Sequence, residues 1–189
     1  MSNQIFNAAS LLGDLESYTV IDEHDSVLKE STLEFVKSTP EFYKRSHLPG
    51  HVTGSAWIID RRKRLVLLTH HAKLNRWMQL GGHVEDDADI QSAALREARE
   101  ESGLNRVEFV SRKIFDIDIH EIPKTPKAPA HLHYDIRFLL DADSTEPFRI
   151  SSESNCLVWS SLENVHLFTN ELSVLRMIEK TTIQTASLS

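Results

Sequence analysis

From Gly81 to Leu104 the chain reads GGHVEDDADIQSAALREAREESGL, and no other stretch limits its fold as tightly. A glycine pair closes a short apolar run, an acidic loop follows, and a segment with helical spacing ends at another glycine. Asp89 stands where a helix needs an N-cap, because its carboxylate can accept a free backbone N–H of the first turn. Gly103 suits the position just past the helix end, where a positive φ is often required. The pattern predicts a helix from about Ile90 to Ser102.

On that helix Glu97 lies three residues before Glu100 and four before Glu101, so the three carboxylates share neighbouring parts of one surface. Like charges at this spacing weaken a helix unless something compensates, and a divalent cation would do so. Oxygen donors suit magnesium or manganese rather than zinc. The natural partner of such a cation is a phosphate: bridging ions neutralise phosphoryl oxygens, orient the linkage and activate water. Arg96, beside Glu97 and four residues before Glu100, can hold a carboxylate through its planar guanidinium. Mixed charges on a helix are, taken alone, usually only a solvated face. The residues preceding this helix decide the matter.

This stretch resembles the Nudix box: Gly, five residues, Glu, seven residues, Arg-Glu, an aliphatic residue, any residue, Glu-Glu, any residue, Gly, an aliphatic residue. The first Gly falls on Gly82 and Arg-Glu on Arg96-Glu97; Ala98, Glu100-Glu101, Gly103 and Leu104 complete the box without a gap. One position departs: Ala88 stands where the family has its first Glu, flanked by Asp87 and Asp89, either of which could take over part of that role. The resemblance implies an α/β/α sandwich around a mixed β-sheet and hydrolysis of a nucleoside diphosphate linked to another moiety, with Mg2+ or Mn2+. It also implies that Glu97, Glu100 and Glu101 bind the metal, with a carbonyl of Gly81 or Gly82 as a further ligand (Gly82 is the first choice). Arg96 would orient Glu97. The family often draws a general base from a loop outside the box, and Glu153, in Ser151-Ser152-Glu153-Ser154, is the candidate here.

The rest of the chain fits an α/β class. Residues 1–48 read as a mostly polar helical extension with a loose stripe of Val27, Leu28, Leu33, Phe35 and Val36, ended by Pro40. The catalytic domain is expected over 49–189. Strands are expected at His51–Asp60, Leu65–Thr69, Arg106–Ile119, His131–Leu140 and Leu157–Ser160, with a short run at Trp77–Leu80 and a last helix at Asn170–Lys180. Pro123, Pro126 and Pro129 exclude regular helix between the third and fourth of these strands. The 189 residues suit one domain with an extension.

Two strands carry polar residues on alternate positions. Asp116, Asp118 and His120 share one face of DIDIH; His131, His133, Asp135 and Arg137 share one face of HLHYDIRF. Paired as an antiparallel ribbon, these faces would meet as a substrate pocket, an auxiliary metal site or a solvated surface. Zinc is not assigned, because no Cys joins the histidines and their spacing matches no recognised zinc pattern. His120, His133, Arg137, His83 and Lys73 are candidate substrate contacts; His70 and His71 lie beside Lys73. Trp57, Trp77 and Trp159 read as core or pocket wall, and Cys156 as a small buried hydrophobe rather than a nucleophile.

The formal net charge of −7 argues against a basic surface for nucleic acid, while leaving a phosphorylated small molecule open. A single cysteine excludes an internal disulfide and fits a reducing compartment. Asp14 and Glu16 lie where a signal peptide would be uncharged, and no run reaches the roughly 18 apolar residues that span a membrane. The expectation is a cytoplasmic protein with a nucleotide-derived small-molecule partner, no nucleic-acid duplex, no membrane, and a homodimer as the family's default. A hydrolase is the leading reading. A Nudix-fold ligand-binding or regulatory module, with Ala88 as its symptom, is the alternative. An isoprenoid diphosphate isomerase would want a cysteine better placed than Cys156. Substrate choice is expected to lie in residues 1–48 and 121–130.

Overall fold

A computed structural model describes residues 6–126 and 128–186. Residues 1–5 of the expected extension, Lys127 in the proline-rich loop and residues 187–189 fall outside the described residues. The elements run α1 (Ala8–Ser17), α2 (Glu23–Ser38), β1 (Gly50–Asp60), β2 (Leu65–His71), β3 (Arg76–Met78), β4 (Leu80–His83), α3 (Ile90–Ser102), β5 (Val107–Phe109), β6 (Asp116–Ile122), β7 (His131–Ala142), β8 (Ser154–Ser161), a 3-10 turn at Leu162–Leu167 and α4 (Leu172–Ala186). The strands form one mixed sheet in the order β3-β2-β1-β7-β5, with β4 also on β1, β6 on β7 and β8 on β2. The helices flank it, as the expected α/β/α arrangement requires.

The chain divides into two compact units, with β1, β4, β7 and α3 each beginning in one and ending in the other. The first gathers the described parts of Met1–Ser55, Gly82–Ala94 and Arg112–Phe138. Its α2 starts where Asp22 accepts the Asp25 N–H at 2.7 Å and stops at Ser38, two residues before Pro40. Leu28 and Val36 of the expected stripe are buried, whereas Val27 faces solvent. Phe35 stacks on Tyr134 with ring centroids 4.0 Å apart. Asp25 is buried because it accepts from both the Tyr18 hydroxyl and the Ile21 amide. The first turn of α3 passes close to β1 at Gly54. A side chain there would bring its Cβ to 3.0 Å from the Ile90 carbonyl oxygen, so glycine is what permits the approach.

The second unit gathers Ala56–Gly81, Leu95–Ser111 and the described part of Leu139–Ser189. Its core holds Trp57, Ile58, Leu67, Leu68, Leu80 and Met177, all essentially without solvent exposure. The Trp57 indole N–H donates to the Thr181 hydroxyl at 2.9 Å, so a large apolar side chain is buried without orphaning its one donor. Helix α3 ends at Gly103, whose φ of +68° and amide bond to the Arg99 carbonyl make it a left-handed cap.

Three expectations change. The strand expected over Arg106–Ile119 is two short strands, β5 and β6, because residues 110–115 leave the extended ladder between them. The Trp77–Leu80 run splits into β3 and β4, and β4 continues through both glycines to His83. Cys156 is exposed: in β8 it is Leu157 that turns inward.

Candidate active site

Helix α3 distributes its carboxylates unequally. Glu101 is buried, Glu97 is mostly buried, and Glu100 is exposed. One guanidinium nitrogen of Arg96 reaches Glu97 Oε1 at 3.0 Å and Glu100 Oε2 at 3.1 Å, holding both side chains. The Gly81 amide donates to Glu101 Oε2 at 3.1 Å. Gly81 adopts φ 154°, a conformation that a side chain would strain. The glycine pair is thereby explained at its first member. Gly82, the expected backbone ligand, is the next residue of β4.

Burial lifts the Glu101 carboxyl from 4.5 to about 8, against the pull of the Gly81 N–H, and the charges of Glu97, Glu153 and Glu100 push it the same way. Burial also raises Glu97, opposed by Arg96 and assisted by Glu100 and Glu153. Glu153, in the turn leading into β8, is near enough for its charge to raise both of these carboxyls. Its carbonyl accepts the Ala72 N–H at 2.8 Å, which ties that turn to the end of β2. His71 sits there too: burial lowers its pKa, Glu153 raises it and Lys73 lowers it. Lys73 is exposed on the turn after β2, with its amide on His71 Nδ1.

The donor set suits a hard divalent cation. Glu97, Glu100 and Glu101 supply only carboxylate oxygen, and Glu101 is buried among like charges, of which Arg96 pairs with Glu97 and Glu100. A cation there would return Glu101 to its ionised form.

Neither residue flanking Ala88 is shown in the role of the missing glutamate. Asp89 caps α3, accepting the Ser92 N–H at 2.7 Å. Asp87 lies 3.5 Å from the Glu85 amide. The Ala88 carbonyl accepts the Asn7 N–H at 2.8 Å, so the N-terminal segment fastens this loop.

The remaining candidates lie in the first unit. Strands β6 and β7 do pair antiparallel, setting Asp116 opposite Arg137, Asp118 opposite Asp135 and His120 opposite His133. The polar faces meet, yet the lower half is buried rather than solvated. Arg137 donates to Asp135 at 2.8 Å and Asp116 at 3.1 Å and pairs with Asp118 at 3.2 Å. Thr53 and Ser55 of β1 donate to the other Asp135 oxygen. Arg137 was expected to meet a ligand; it is instead the centre of a buried ion cluster, with its guanidinium taken up by three aspartates. The upper half gathers His120, His131 and His133, as the alternation suggested, and adds His83 of β4 and His51 of β1. His51 was missed: it is the second residue of β1, far from the others in sequence, and only strand pairing brings it in. An open groove of about 450 Å³, lined by Asn75, Arg76, Trp77, Phe168 and Glu171 among others, contains neither the α3 carboxylates nor Glu153.

A family model described as the NUDIX domain matches residues 49–180. The chain belongs to the Nudix family. The reaction class of this Nudix protein is pyrophosphohydrolysis, the cleavage of a phosphoric anhydride. A NUDIX-family hydrolase from Clostridium perfringens is 28% identical, with 71% of this chain and 97% of that one covered at a TM-score of 0.50. The C. elegans Ap4A hydrolase, in a binary complex, shares the fold at 17% identity, covering 72% and 98% with a TM-score of 0.57. The MutT protein of Methanosarcina mazei Go1 shares it at 19% identity, covering 72% and 95% with a TM-score of 0.54. No curated protein sequence matches the chain. No helix among the described residues is long and apolar enough to cross a membrane.

Proposed function

We propose that this Nudix protein hydrolyses the diphosphate linkage of a nucleoside diphosphate derivative, with Glu97, Glu100 and Glu101 as the residues that hold Mg2+ or Mn2+. When bound, such an ion neutralises phosphoryl charge and lowers the pKa of water. The protein's own residues then divide the work. Arg96 fixes Glu97 and Glu100 in place. Gly81 fixes Glu101. Glu153 takes a proton from the attacking water on its carboxylate, and Lys73 meets phosphate oxygen. Similarity in fold to an Ap4A hydrolase and to a NUDIX domain complexed with ADP ribose favours a nucleotide-derived substrate.

The observation that supports this reading is the buried Glu101 carboxylate, held by a backbone amide among other carboxylates. A purely solvated helix face would leave it exposed. The test is turnover of ADP-ribose, Ap4A, nucleotide sugars and nucleoside triphosphates with Mg2+ or Mn2+, in wild type and Glu97→Gln. Metal-dependent release of a nucleoside monophosphate or diphosphate from at least one compound, abolished in the variant, is expected. Tight ligand binding with no turnover of any compound would favour a ligand-binding module.

A further inference from the structure

We propose that His51, His131 and His133 form a binding site for a single zinc-class transition-metal ion, made of residues other than the helix carboxylates. Each ring offers one ligand nitrogen, and the three nitrogens lie within 4.8 Å of one another. The ring centroids of these histidines are 4.8–5.2 Å apart, pair by pair.

Strand geometry explains the grouping. His131 and His133 are two apart on β7 and so project from the same face. His51 reaches them because β1 begins directly against β7. The Leu132 amide donates to the Pro49 carbonyl at 2.8 Å, and a Cβ on Gly50 would lie 2.6 Å from the Leu132 carbonyl oxygen. Any residue but glycine at 50 would push His51 away from its partners.

The rings are oriented as ligands. His131 Nδ1 lies 2.9 Å from the Pro129 carbonyl, which can only accept. In the neutral ring this contact places the proton on Nδ1 and the lone pair on Nε2. His51 is turned the same way, with Nδ1 facing the His47 carbonyl at 3.5 Å. A backbone carbonyl that fixes the tautomer of a ligating histidine is the usual support of a metal-bound imidazole. The Nε2 atoms of His51 and His133 are both buried and have no hydrogen-bond partner among the described residues. Two unsatisfied imidazole nitrogens in one small group need an explanation, and a shared cation supplies it.

The chemistry selects the ion. Neutral imidazole nitrogen suits zinc, cobalt, nickel or copper and is a poor ligand for magnesium. Bond lengths of about 2.0–2.1 Å would set the nitrogens of a tetrahedral ion roughly 3.4 Å apart, so the rings close by about an ångström on binding. Three protein ligands leave a fourth position for water or an anionic oxygen. Three neutral ligands leave the ion's double charge intact, which favours an anion there. His83, with its ring 5.0 Å from His51 and 5.2 Å from His133, borders the site.

The test is titration of the EDTA-treated full-length protein with Co2+, read by visible d–d absorption, and with Zn2+ by competition against a chromogenic chelator. One equivalent of Co2+, displaced by Zn2+, is expected in the wild type. His131→Ala, at a half-buried position, and His133→Ala should each weaken binding at least about 100-fold, since even supporting partners of metal ligands are worth roughly 10–100-fold. Circular dichroism establishes that each variant is folded. Glu101→Gln should retain the cobalt spectrum. A wild type that binds neither ion, or folded His131→Ala that binds as the wild type does, overturns the proposal. Loss of the spectrum in Glu101→Gln, with retention in both histidine variants, overturns it as well by moving the ion to the carboxylates.

Discussion

The Gly81 amide reaches Glu101 Oε2 over 3.1 Å, joining residues 20 apart in the chain. This contact ties the glycine just before the box to the last carboxylate of its helix. It leaves Glu101 buried, with a pKa lifted to about 8 by desolvation first and neighbouring carboxylates second. In the metal-free protein the folded state therefore keeps a proton that the unfolded chain has already released. The contribution of Glu101 to stability is full below the ordinary carboxyl value of 4.5 and is lost as pH rises towards 8. Thermal melts in EDTA should fall by several degrees between about pH 5 and about pH 8.5, and Mg2+ or Mn2+ should recover most of the loss at the higher pH. A melting temperature that rises with pH in EDTA would contradict this.

Arg96 serves two carboxylates through one nitrogen, at 3.0 and 3.1 Å. Removing it should leave Glu97 free to swing without exposing a buried cavity. Arg96→Ala is expected to lower kcat by about 10–100-fold, the range for residues that orient metal ligands, with little loss of stability. The Mg2+ concentration giving half-maximal rate should rise in parallel. Full activity with unchanged metal dependence would remove Arg96 from its positioning role.

Glu153 is proposed to accept the proton of the attacking water. Glu153→Gln keeps the shape and removes the basicity, and general-base loss typically costs about 100–10,000-fold. The expected signature is a fall in kcat with KM nearly unchanged and loss of the acid limb of the pH–rate profile. A variant that keeps the acid limb would assign the base elsewhere.

Arg137 is predicted to support the fold rather than the chemistry. Its guanidinium is buried among Asp116, Asp118 and Asp135, and Thr53 and Ser55 complete the shell around Asp135. Arg137→Met would strand buried carboxylates, and breaking such a group typically costs about 3–5 kcal/mol. Urea unfolding should show that loss in its midpoint. A loss below about 1 kcal/mol would mean that the aspartates find other partners or protonate freely.

What the sequence made legible was local. Helix α3 was readable to the residue because Asp89 and Gly103 mark its ends by hydrogen bonding and backbone conformation, both decided within a few residues. The β6–β7 ribbon was readable from alternation. What escaped depends on distant pairing or on burial. Arg137 looked like a ligand contact because a polar alternation does not say whether the face is wet. His51 carries no local mark, and its place beside His131 and His133 exists only once β1 lies on β7. Cys156 read as buried because it adjoins apolar residues, whereas strand period two turns it outward beside Leu157. The break between β5 and β6 was hidden because Ile114 and Phe115 continue the apolar pattern through it.

The central claim is that Glu97 and Glu101 hold a divalent cation for anhydride cleavage. The most direct measurement is Mn2+ binding by electron paramagnetic resonance, in wild type, Glu97→Gln and Glu101→Gln, each preloaded with Zn2+ to fill nitrogen sites. The wild type should deplete the free-Mn2+ signal, and both variants should leave it largely intact. Equal depletion by all three proteins would contradict the account.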